Sequence, residues 1–384
     1  MEYVTIGESC SVVSGGTPSR SKGEFWLDGT IPWIKIGNIK TKYVNEYDEL
    51  ITEEGLNNSS AKLLKKGTIL YTIFATLGEV GILDIDACTN QAIAGITIND
   101  PRITPDFLYY YLKSKKEYVN SIGRGVAQNN INLTTLRKFE IPLIDRDKQS
   151  IIVKTLEKVE KIIDSQKKEL DRYDELVKAR FVEMFGTIHD NKFEYDICTI
   201  QSVCEQIKDG THQTPEYTDD IINGFKFLSS KDVTSGKINW DGIKYIPECL
   251  HNNLYKRIAP RKGDILLAKN GTTGVAAIVD VDEIFDIYVS LALLRPIEMN
   301  SIYLCAAINS QETKEQFNRS LKGIGVPNLH LGEIKKTKIL NPPIKMQNEF
   351  ANFVAQVDKS KSAIQAALDK TQLLFDSLMQ EYFG

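Results

Sequence analysis

The chain has 384 residues, of which 42% are hydrophobic and 26% charged, and its formal net charge is −4. These values are ordinary for a folded protein of about two or three domains, and they exclude an intrinsically disordered chain. The negative net charge argues against a nucleic-acid binder that is basic over its whole surface. It does not exclude a basic patch confined to one face.

No segment indicates a membrane span, a disulfide framework or a metal site. No apolar run approaches the roughly 18 residues of a membrane span, and the first residues lack the basic and apolar regions of a signal peptide. The six cysteines include no C-x-x-C pair, and the four histidines have no ligand-like spacing. We therefore expect a cytoplasmic protein without disulfides or a bound metal.

The first 145 residues combine strand and helix patterns. Residues 31–36 alternate as a strand does, and residues 68–73 are rich in β-branched and aromatic side chains. A helix is predicted to begin at Pro105, because proline is favoured in the first turn. This order of elements indicates a mixed α and β domain.

The next segment predicts a long amphipathic helix. Residues 149–184 contain no glycine and no proline, and apolar residues recur at alternating spacings of four and three, interrupted by Gln166. A heptad pattern of this length is typical of helices that pack along their length. The predicted packing positions are Ile152, Leu156, Val159, Ile163, Leu170 and Val177. A second apolar row indicates that an outside partner helix could also dock, and it consists of Ile151, Ile162, Leu176 and Phe181.

The second half repeats the first after a polar linker at residues 187–192. Lys66-Gly67-Thr68-Ile69-Leu70 returns as Lys262-Gly263-Asp264-Ile265-Leu266. A period near 195 residues is far longer than the roughly 20–50 residues of a solenoid repeat, so it indicates two similar domains. Other short motifs recur at offsets close to this period. They pair Gly16-Thr17 with Gly210-Thr211, Gly78 and Gly81 with Gly271 and Gly274, and Asn130-Ile131-Asn132-Leu133 with Asn328-Leu329-His330-Leu331.

A second long helix is predicted over residues 347–382, again without glycine or proline. Lys361 interrupts its apolar seam, at a different point of the heptad pattern from Gln166 in the first helix. The predicted packing positions are Phe350, Val354, Val357, Ile364, Leu368 and Phe375. Because the two seams match in length and phase, we expect the helices to pack as an antiparallel coiled coil, with the domains at opposite ends of a rod. The alternative is that each helix covers the core of its own domain.

Three pairs of polar loops occupy matched places in the two halves. They are residues 15–20 and 209–215, residues 74–81 and 269–274, and residues 123–130 and 323–328. Glycine lets a backbone approach a phosphate or base closely, and Arg, Asn and Gln have the geometry to bind guanine and adenine edges. A tight hairpin turn explains any one of these loops equally well, but their duplication favours a function.

One segment has an enzymatic interpretation. Asn341-Pro342-Pro343-Ile344 is similar to the N-P-P-aromatic motif of amino-methylating DNA methyltransferases, but Ile344 lacks the ring that would stack on a flipped base. No glycine-rich turn for a methyl donor precedes it, and no hydrolase, Walker or zinc-protease motif occurs. We interpret the segment as a structural turn and expect no catalysis by this chain.

The two long helices each end in Phe-Gly, at Phe185-Gly186 and Phe383-Gly384. Each Lys-Gly-x-Ile-Leu strand precedes a glycine-bearing loop, and Asn90-Gln91-Ala92-Ile93 follows the first of these loops. In this duplicated order the whole chain resembles the DNA-specificity subunits of Type I restriction-modification systems.

The resemblance implies an α+β fold with two similar target recognition domains, each reading one half of a split DNA site. The domains would be residues 1–145 and 187–344, and the long helices, in residues 146–186 and 345–384, would act as spacers related by a pseudo-twofold duplication. The implied DNA-binding residues are Thr17, Arg20, Lys35, Asn38, Thr76, Gly78, Arg124, Gln128 and Asn129 in the first half, and Thr211, His212, Ser229, Lys231, Lys269, Asn270, Gly271, Thr272 and Thr273 in the second.

The implied partners are double-stranded DNA, two modification subunits that use S-adenosylmethionine to methylate adenine, and restriction subunits that use ATP and magnesium. This chain would hold no cofactor. The remaining alternatives are an adenine-specific methyltransferase acting through the Asn341 segment, and a coiled-coil scaffold that binds proteins.

Overall fold

A computed structural model of the chain describes residues 2–123, 130–233, 236–271, 273–321 and 328–384. The chain forms two compact units. The first unit consists of Met1–Lys167 and Ala367–Gly384, and the second of Lys168–Ala366. Each long helix therefore contributes residues to both units.

The first unit contains three small sheets. Its strands are β1 (Glu2–Thr5), β2 (Cys10–Ser14), β3 (Ile31–Ile34), β4 (Tyr43–Val44), β5 (Glu49–Ile51), β6 (Ile69–Thr72), β7 (Val80–Leu83), β8 (Cys88–Thr89), β9 (Ile93–Ile98) and β10 (Glu140–Leu143). They pair in the orders β2-β9-β6-β7-β4, β5-β3-β8 and β1-β10. The helices are α1 (Ile6–Ser9), α2 (Glu53–Asn57), α3 (Pro105–Ser114), α4 (Lys116–Gly123) and α5 (Leu133–Arg137), followed by the long α6 (Arg146–Phe185).

The second unit repeats this plan. Its strands are β11 (Asp196–Thr199), β12 (Cys204–Asp209), β13 (Phe225–Leu228), β14 (Lys244–Ile246), β15 (Ile265–Ala268), β16 (Ala276–Ile278), β17 (Phe285–Ile287), β18 (Leu291–Pro296) and β19 (Lys338–Asn341). They pair in the orders β12-β18-β15-β16, β14-β13-β17 and β11-β19. The helices are α7 (Glu248–Leu254), α8 (Ser301–Asn309), α9 (Gln311–Ser320) and α10 (Leu331–Lys336), followed by the long α11 (Ile344–Phe383).

The matching strand orders confirm the internal duplication that the sequence predicted. Every pairing in the second unit has a counterpart in the first, and the described residues differ mainly in β4, which the first unit adds beside β7. Local signals are duplicated too. Thr5 and Thr199 each end the first strand of their unit and accept a hydrogen bond from the backbone three residues later. Such a cap stabilises the turn that follows by satisfying a backbone donor.

The hairpin loops are duplicated, but the glycine pairing inferred from the common offset is wrong by three residues. The backbone N–H of Gly78 donates to Thr72 at the end of β6, and that of Gly274 donates to Ala268 at the end of β15, both with positive φ. Gly78 therefore corresponds to Gly274, and Gly271 (φ 76°) corresponds to Ala75 (φ 61°). The correct offset is 274 − 78 = 196, which equals that of the preceding strands β6 and β15 (265 − 69), whereas the pairing from sequence used 193. A Gly-x-x-Gly spacing occurs in both loops at positions displaced by three residues, and this likeness suggested the wrong register.

The glycine loops after β2 and β12 show a similar shift, of one residue. The N–H of Gly15 donates to the first residue of β9, and that of Gly210 donates to the first residue of β18. A Cβ on either glycine would lie 2.2 Å from Asn90 O or 2.0 Å from Ile287 O. Gly15, not Gly16, is therefore the counterpart of Gly210, and both are glycine because a strand passes too close for any side chain.

The heptad seams of α6 and α11 are buried as predicted. All twelve predicted packing positions are at least half-buried, whereas Ile151, Ile162 and Leu176 of the second row are exposed at 63%, 49% and 46%. Within the second unit, Phe181 packs against Phe350 with ring centroids 5.5 Å apart.

The direction of packing follows from further contacts within the second unit. Arg180 lies 5.7 Å from the ring of Phe353, and Lys361, the polar interruption of the second seam, forms an ion pair with Asp174. As the residue number falls from 180 to 174 on α6, the residue it contacts on α11 rises from 353 to 361. The two segments therefore run antiparallel in this unit.

The Phe-Gly ends of the helices are anchored in aromatic clusters. Phe185 is fully buried against Tyr303 of α8, with ring centroids 4.8 Å apart. Phe383 packs against Phe107 of α3 at 5.3 Å, and its carbonyl accepts a hydrogen bond from Lys115. Each helix end is therefore part of the hydrophobic core of the unit in which it finishes.

Two buried glutamines anchor the beginnings of the same helices. Gln149 accepts hydrogen bonds from the N–H and hydroxyl of Thr104 and donates to the carbonyls of Arg102 and Ile144, at 2.7–3.0 Å. Gln347 accepts from the N–H of Asn300 and donates to the carbonyl of Pro342. These matched contacts satisfy backbone groups at the junction of helix and domain.

No helix in the described ranges carries an apolar window long enough to cross a bilayer.

Candidate functional site

The polar loops of the second unit meet around Asp209, the last residue of β12. The ammonium of Lys269 lies 3.1 Å from its carboxylate, the guanidinium of Arg257 lies 3.2 Å away, and Nε2 of His212 lies 3.2 Å away. Burial alone raises the pKa of Asp209, but the bonds from Lys269 and His212 outweigh it and hold the pKa below its ordinary value. Asp209 is therefore a charged organising centre for side chains from three separate loops.

Lys269 and His212 differ in their access to a ligand. The side chain of Lys269 is only 6% exposed, whereas that of His212 is 68% exposed. The charge of Lys269 is thus neutralised inside the domain, where it positions Asp209. His212 faces solvent from the same cluster and can donate or accept a hydrogen bond.

A cavity of about 530 Å³ opens beside this cluster. It is lined by Asp209, His212, Lys269, Asn270, Val289, Asn328, His330, Leu331 and Gly332. The side chains are mostly amides, imidazoles and charges, so the lining offers hydrogen-bond donors and acceptors in place of an apolar surface. A lining of this kind suits the edge of a polar ring better than an apolar ligand.

Two asparagines in the wall of this cavity have side-chain oxygens without a hydrogen-bond partner among the described residues. Asn270 and Asn328 form a backbone bridge, so their side chains stand on neighbouring positions. The Oδ1 atom of each is shielded from solvent and accepts no hydrogen bond from the described residues.

The remaining predicted residues of the second unit lie beside the same cavity wall. A Cβ on Gly271 would lie 3.9 Å from Oγ of Ser230, which places the turn of Ser229 and Lys231 next to the hairpin loop. Ser229 donates to Asp232, and the side chain of Lys231 is 56% exposed. Thr211 is buried through its bridge to Tyr288, whereas the hydroxyl of Thr273 bonds back to the carbonyl of Lys269. The predicted residues of this unit that the structure describes therefore share one region.

In the first unit, Arg20, Lys35 and Asn38 meet at two carboxylates. Arg20 bonds Glu49 through both terminal nitrogens, at 3.2 and 2.7 Å, and stacks 3.6 Å from the ring centre of Trp26. The hydrogen bond from Arg20 lowers the pKa of Glu49.

The second carboxylate of this cluster belongs to Asp48. Lys35 lies 3.4 Å from it, and Asn38, which is buried, donates to it. The cluster is balanced in charge, so it holds its loops together and does not present a net positive face.

Thr17, Thr76 and Gly78 occupy different places. The hydroxyl of Thr17 donates to the exposed side chain of Gln91, and Thr76 is exposed in the β6–β7 loop. Gly78 is buried, and a Cβ there would lie 3.0 Å from Lys116 Cα in α4. Close packing of the loop on α4 thus accounts for glycine at position 78. Four other predicted positions, Arg124, Gln128, Asn129 and Thr272, lie outside the described residues.

The matched positions of the two units carry different chemistry. The backbone bonds that place Lys269 and Asn270 in the second unit place Ile73 and Phe74 in the first. By the pairing of β2 and β12, Asp209 corresponds to Ser14. Asn328 has the same residue type at its matched position, Asn130. The shared frame therefore carries Asp209, Lys269 and Asn270 in the second unit where the first unit has Ser14, Ile73 and Phe74.

Neither enzymatic candidate forms an open active site. The motif-like Asn341 ends β19, paired with Asp196, and the carbonyl of the next residue, Pro342, bonds Gln347, so the segment is a turn from strand to helix. A buried pair, His251 and Asp286, has its atoms 2.6 Å apart, but the side chains are only 9% and 2% exposed. No cluster of potential metal ligands occurs in the described part of the chain.

Asp209 and Asn328 lie in polar loops that the sequence analysis singled out, but they were not named among the DNA-binding residues, and Arg257 and His330 were missed. Asp209 directly precedes Gly210, and Asn328 and His330 lie in a recognised echo of the first half. The sequence therefore showed where these residues lie in the repeat, but it did not show that their segments meet at one cavity.

The sequence profile described as "Type I restriction modification DNA specificity domain" matches residues 1–172 and again residues 194–371. The chain belongs to this family. The two matches cover both repeats, and they confirm the family that the resemblance indicated, together with the fold class of two similar mixed α and β domains.

Individual relatives agree with this assignment. The chain is 22% identical over 396 residues to the MjaVIII specificity subunit of Methanocaldococcus jannaschii, covering 96% of this chain and 90% of the relative. It is 27% identical over 187 residues to the EcoR124I/EcoR124II specificity subunit of Escherichia coli, covering 47% of this chain and 46% of the relative. The chain is thus a Type I specificity subunit, and the methyltransferase alternative is not favoured.

Solved structures show the same fold. The S subunit of a Type I system from M. genitalium superposes with a TM-score of 0.53 at 16% identity, covering 100% of this chain and 96% of that one. A chain from a study of complex assembly in a Type I system superposes with a TM-score of 0.63 at 17% identity, covering 100% and 97%.

Proposed function

We propose that each unit reads one half of a bipartite site in double-stranded DNA and that this chain performs no catalysis itself. The observation that carries the proposal is the repeated sheet order with different side chains at matched loop positions. A repeated frame presents its loops to the duplex in the same way twice, and the changed side chains give each half its own sequence preference.

The long helices would set the number of unread base pairs between the halves and dock two modification subunits. The buried seam residues support a rigid helix pair, and the exposed row of Ile151, Ile162 and Leu176 supports an outside partner. Catalysis and cofactors would belong to the partners: S-adenosylmethionine in the modification subunits, and ATP with magnesium in any restriction subunits. The complex would act in the cytoplasm, where the DNA is.

The test is to express the chain with its modification subunit and map methylated adenines in cellular DNA. We expect one bipartite motif with a fixed spacer. An insertion of seven residues after Gln166, matched by seven after Leu368, should change the spacer and leave both half-sites unchanged. A continuous motif, or a spacer unaffected by the insertions, would contradict the proposal.

Two controls separate the alternatives. Methyl-donor binding by the isolated chain would favour a methyltransferase. An intact complex without any sequence preference would favour a coiled-coil scaffold.

A further inference from the structure

Two neighbouring carboxamide side chains lie in the wall of the cavity beside Asp209. Asn270 and Asn328 project from bridged backbone positions at the ends of separate loops, and both line the cavity. Neither Oδ1 atom accepts a hydrogen bond from the part of the chain that the structure describes. The described residues therefore leave the acceptor capacity of these two oxygens unused.

The surroundings hold these amides at a defined place. Lys269, the neighbour of Asn270, is fixed by its buried ion pair with Asp209, and its carbonyl accepts the N–H of Leu329, next to Asn328. Asp209 is itself held by Arg257 from a third segment. The backbone of the site is therefore held in place, and a side-chain rotation is enough to bring a carboxamide to a ligand.

The chemistry of a carboxamide selects that ligand. An asparagine can accept from the N6 amino group of adenine and donate to its N7, and this two-bond pairing distinguishes adenine from the other bases in the major groove. Turning one of the two carboxamides into the cavity would let its oxygen accept the free N6–H of an adenine while its nitrogen donates to N7 of the same base. The acidic Asp209 is already satisfied by cations, so it does not compete for the base.

We propose that Asn270 and Asn328 read adenine in the half-site of the second unit, an inference that rests on the proposed function. The first unit has Phe74 at the place of Asn270 and keeps an asparagine, Asn130, at the place of Asn328. It therefore lacks the paired carboxamides and reads its own half-site by different chemistry. Adenine recognition through this pair is then a property of the second unit and one reason that the two half-sites differ.

The test uses the full chain in complex with its modification subunit and a library of duplexes randomised at every position of both half-sites. In Asn270→Ala and Asn328→Ala, binding should lose about 5- to 150-fold discrimination at an adenine of one half-site, the range of one two-bond contact. The other half-site should be unaffected. Asn253→Ala, an exposed asparagine of α7 in the same unit, is the matched control and should leave every position unchanged.

A second variant guards against simple loss of folding. Asn270→Asp and Asn328→Asp keep the side-chain shape but present acceptors only, and an acceptor of this kind pairs with the N4 amino group of cytosine. At least one of them should replace adenine by cytosine at the affected position, a gain that misfolding cannot produce.

The outcomes separate the two proposals. A wild-type complex without a bipartite preference would overturn the proposed function. A wild-type complex with such a preference, unchanged at every position in all four variants, would overturn the adenine assignment alone. Loss of discrimination at a guanine or cytosine would overturn it as well.

Discussion

The buried glutamines at the beginnings of the long helices give a quantitative prediction. Replacing Gln149 by leucine keeps the size of the side chain and removes four hydrogen bonds. At a net value of about 1 kcal/mol for each bond, the substitution should destabilise the junction by about 4 kcal/mol. Gln347→Leu removes two bonds and should cost about 2 kcal/mol by the same reasoning.

Hydrogen exchange followed by mass spectrometry is the suitable assay. A protein with two units need not unfold in one transition, so a global free energy of unfolding would mix their contributions. Exchange of peptides from the first turns of α6 and α11 reports the opening of each junction separately. Both variants should show faster exchange at their own junction, and Gln149→Leu should show the larger change.

Gln356→Leu is the matched control, because Gln356 is an exposed glutamine in the interior of α11. Its effect should lie within about 0.5 kcal/mol, as for other surface substitutions. If Gln149→Leu were no more destabilising than this control, the four bonds would contribute nothing net, and the reasoning would be refuted. An equal effect of Gln149→Leu and Gln347→Leu would show that the number of bonds does not set the magnitude.

Three further predictions concern single positions. Gly210→Ala should destabilise the second unit by more than about 3 kcal/mol, measured by hydrogen exchange of peptides around β12, because its Cβ would meet backbone at 2.0 Å, whereas Gly37→Ala, with open space, should cost less than about 1 kcal/mol around its own position. Lys361→Leu should leave the thermal midpoint of the second unit unchanged or raise it, because leucine adds an apolar side chain to the seam and Asp174, which is 59% exposed, stays hydrated without its partner; a marked fall would contradict this. Asp209→Asn should destabilise by about 3–5 kcal/mol, because it leaves the buried Lys269 without its partner. Since the folded pKa of Asp209 lies below its unfolded value, its stabilisation is present above the unfolded pKa and is lost as pH falls through the folded one, so acid unfolding should become less steep in this variant.

Much of the architecture could be predicted from the sequence. The long helices begin and end within three residues of the predicted limits, at Arg146–Phe185 and Ile344–Phe383, because a heptad pattern without glycine or proline is a strong local signal. The strands at residues 69–72 and 265–268 and the helix at Pro105 were also predicted correctly. The repeated motifs indicated the duplication before any contact was known.

The details of the candidate site were less predictable. The glycine pairs inferred from the sequence are displaced by three residues at Gly78 and by one at Gly15. Gly-x-x-Gly and Gly-Thr occur in both halves at positions that are not equivalent in the structure. Lys269 was predicted as a DNA contact, but its side chain is buried on Asp209. Nothing in the local sequence around Lys269 indicates an acidic partner sixty residues away.

The sequence by itself determined the duplication, the family and the two long helices, because these depend on patterns repeated along the chain. Only the tertiary structure decided which polar loop residues are exposed and which are neutralised, as with His212 and Lys269 beside the same carboxylate. The physical reason is that charge pairing and burial depend on distances between segments far apart in sequence, and the packing of β12, β15 and β18 sets those distances.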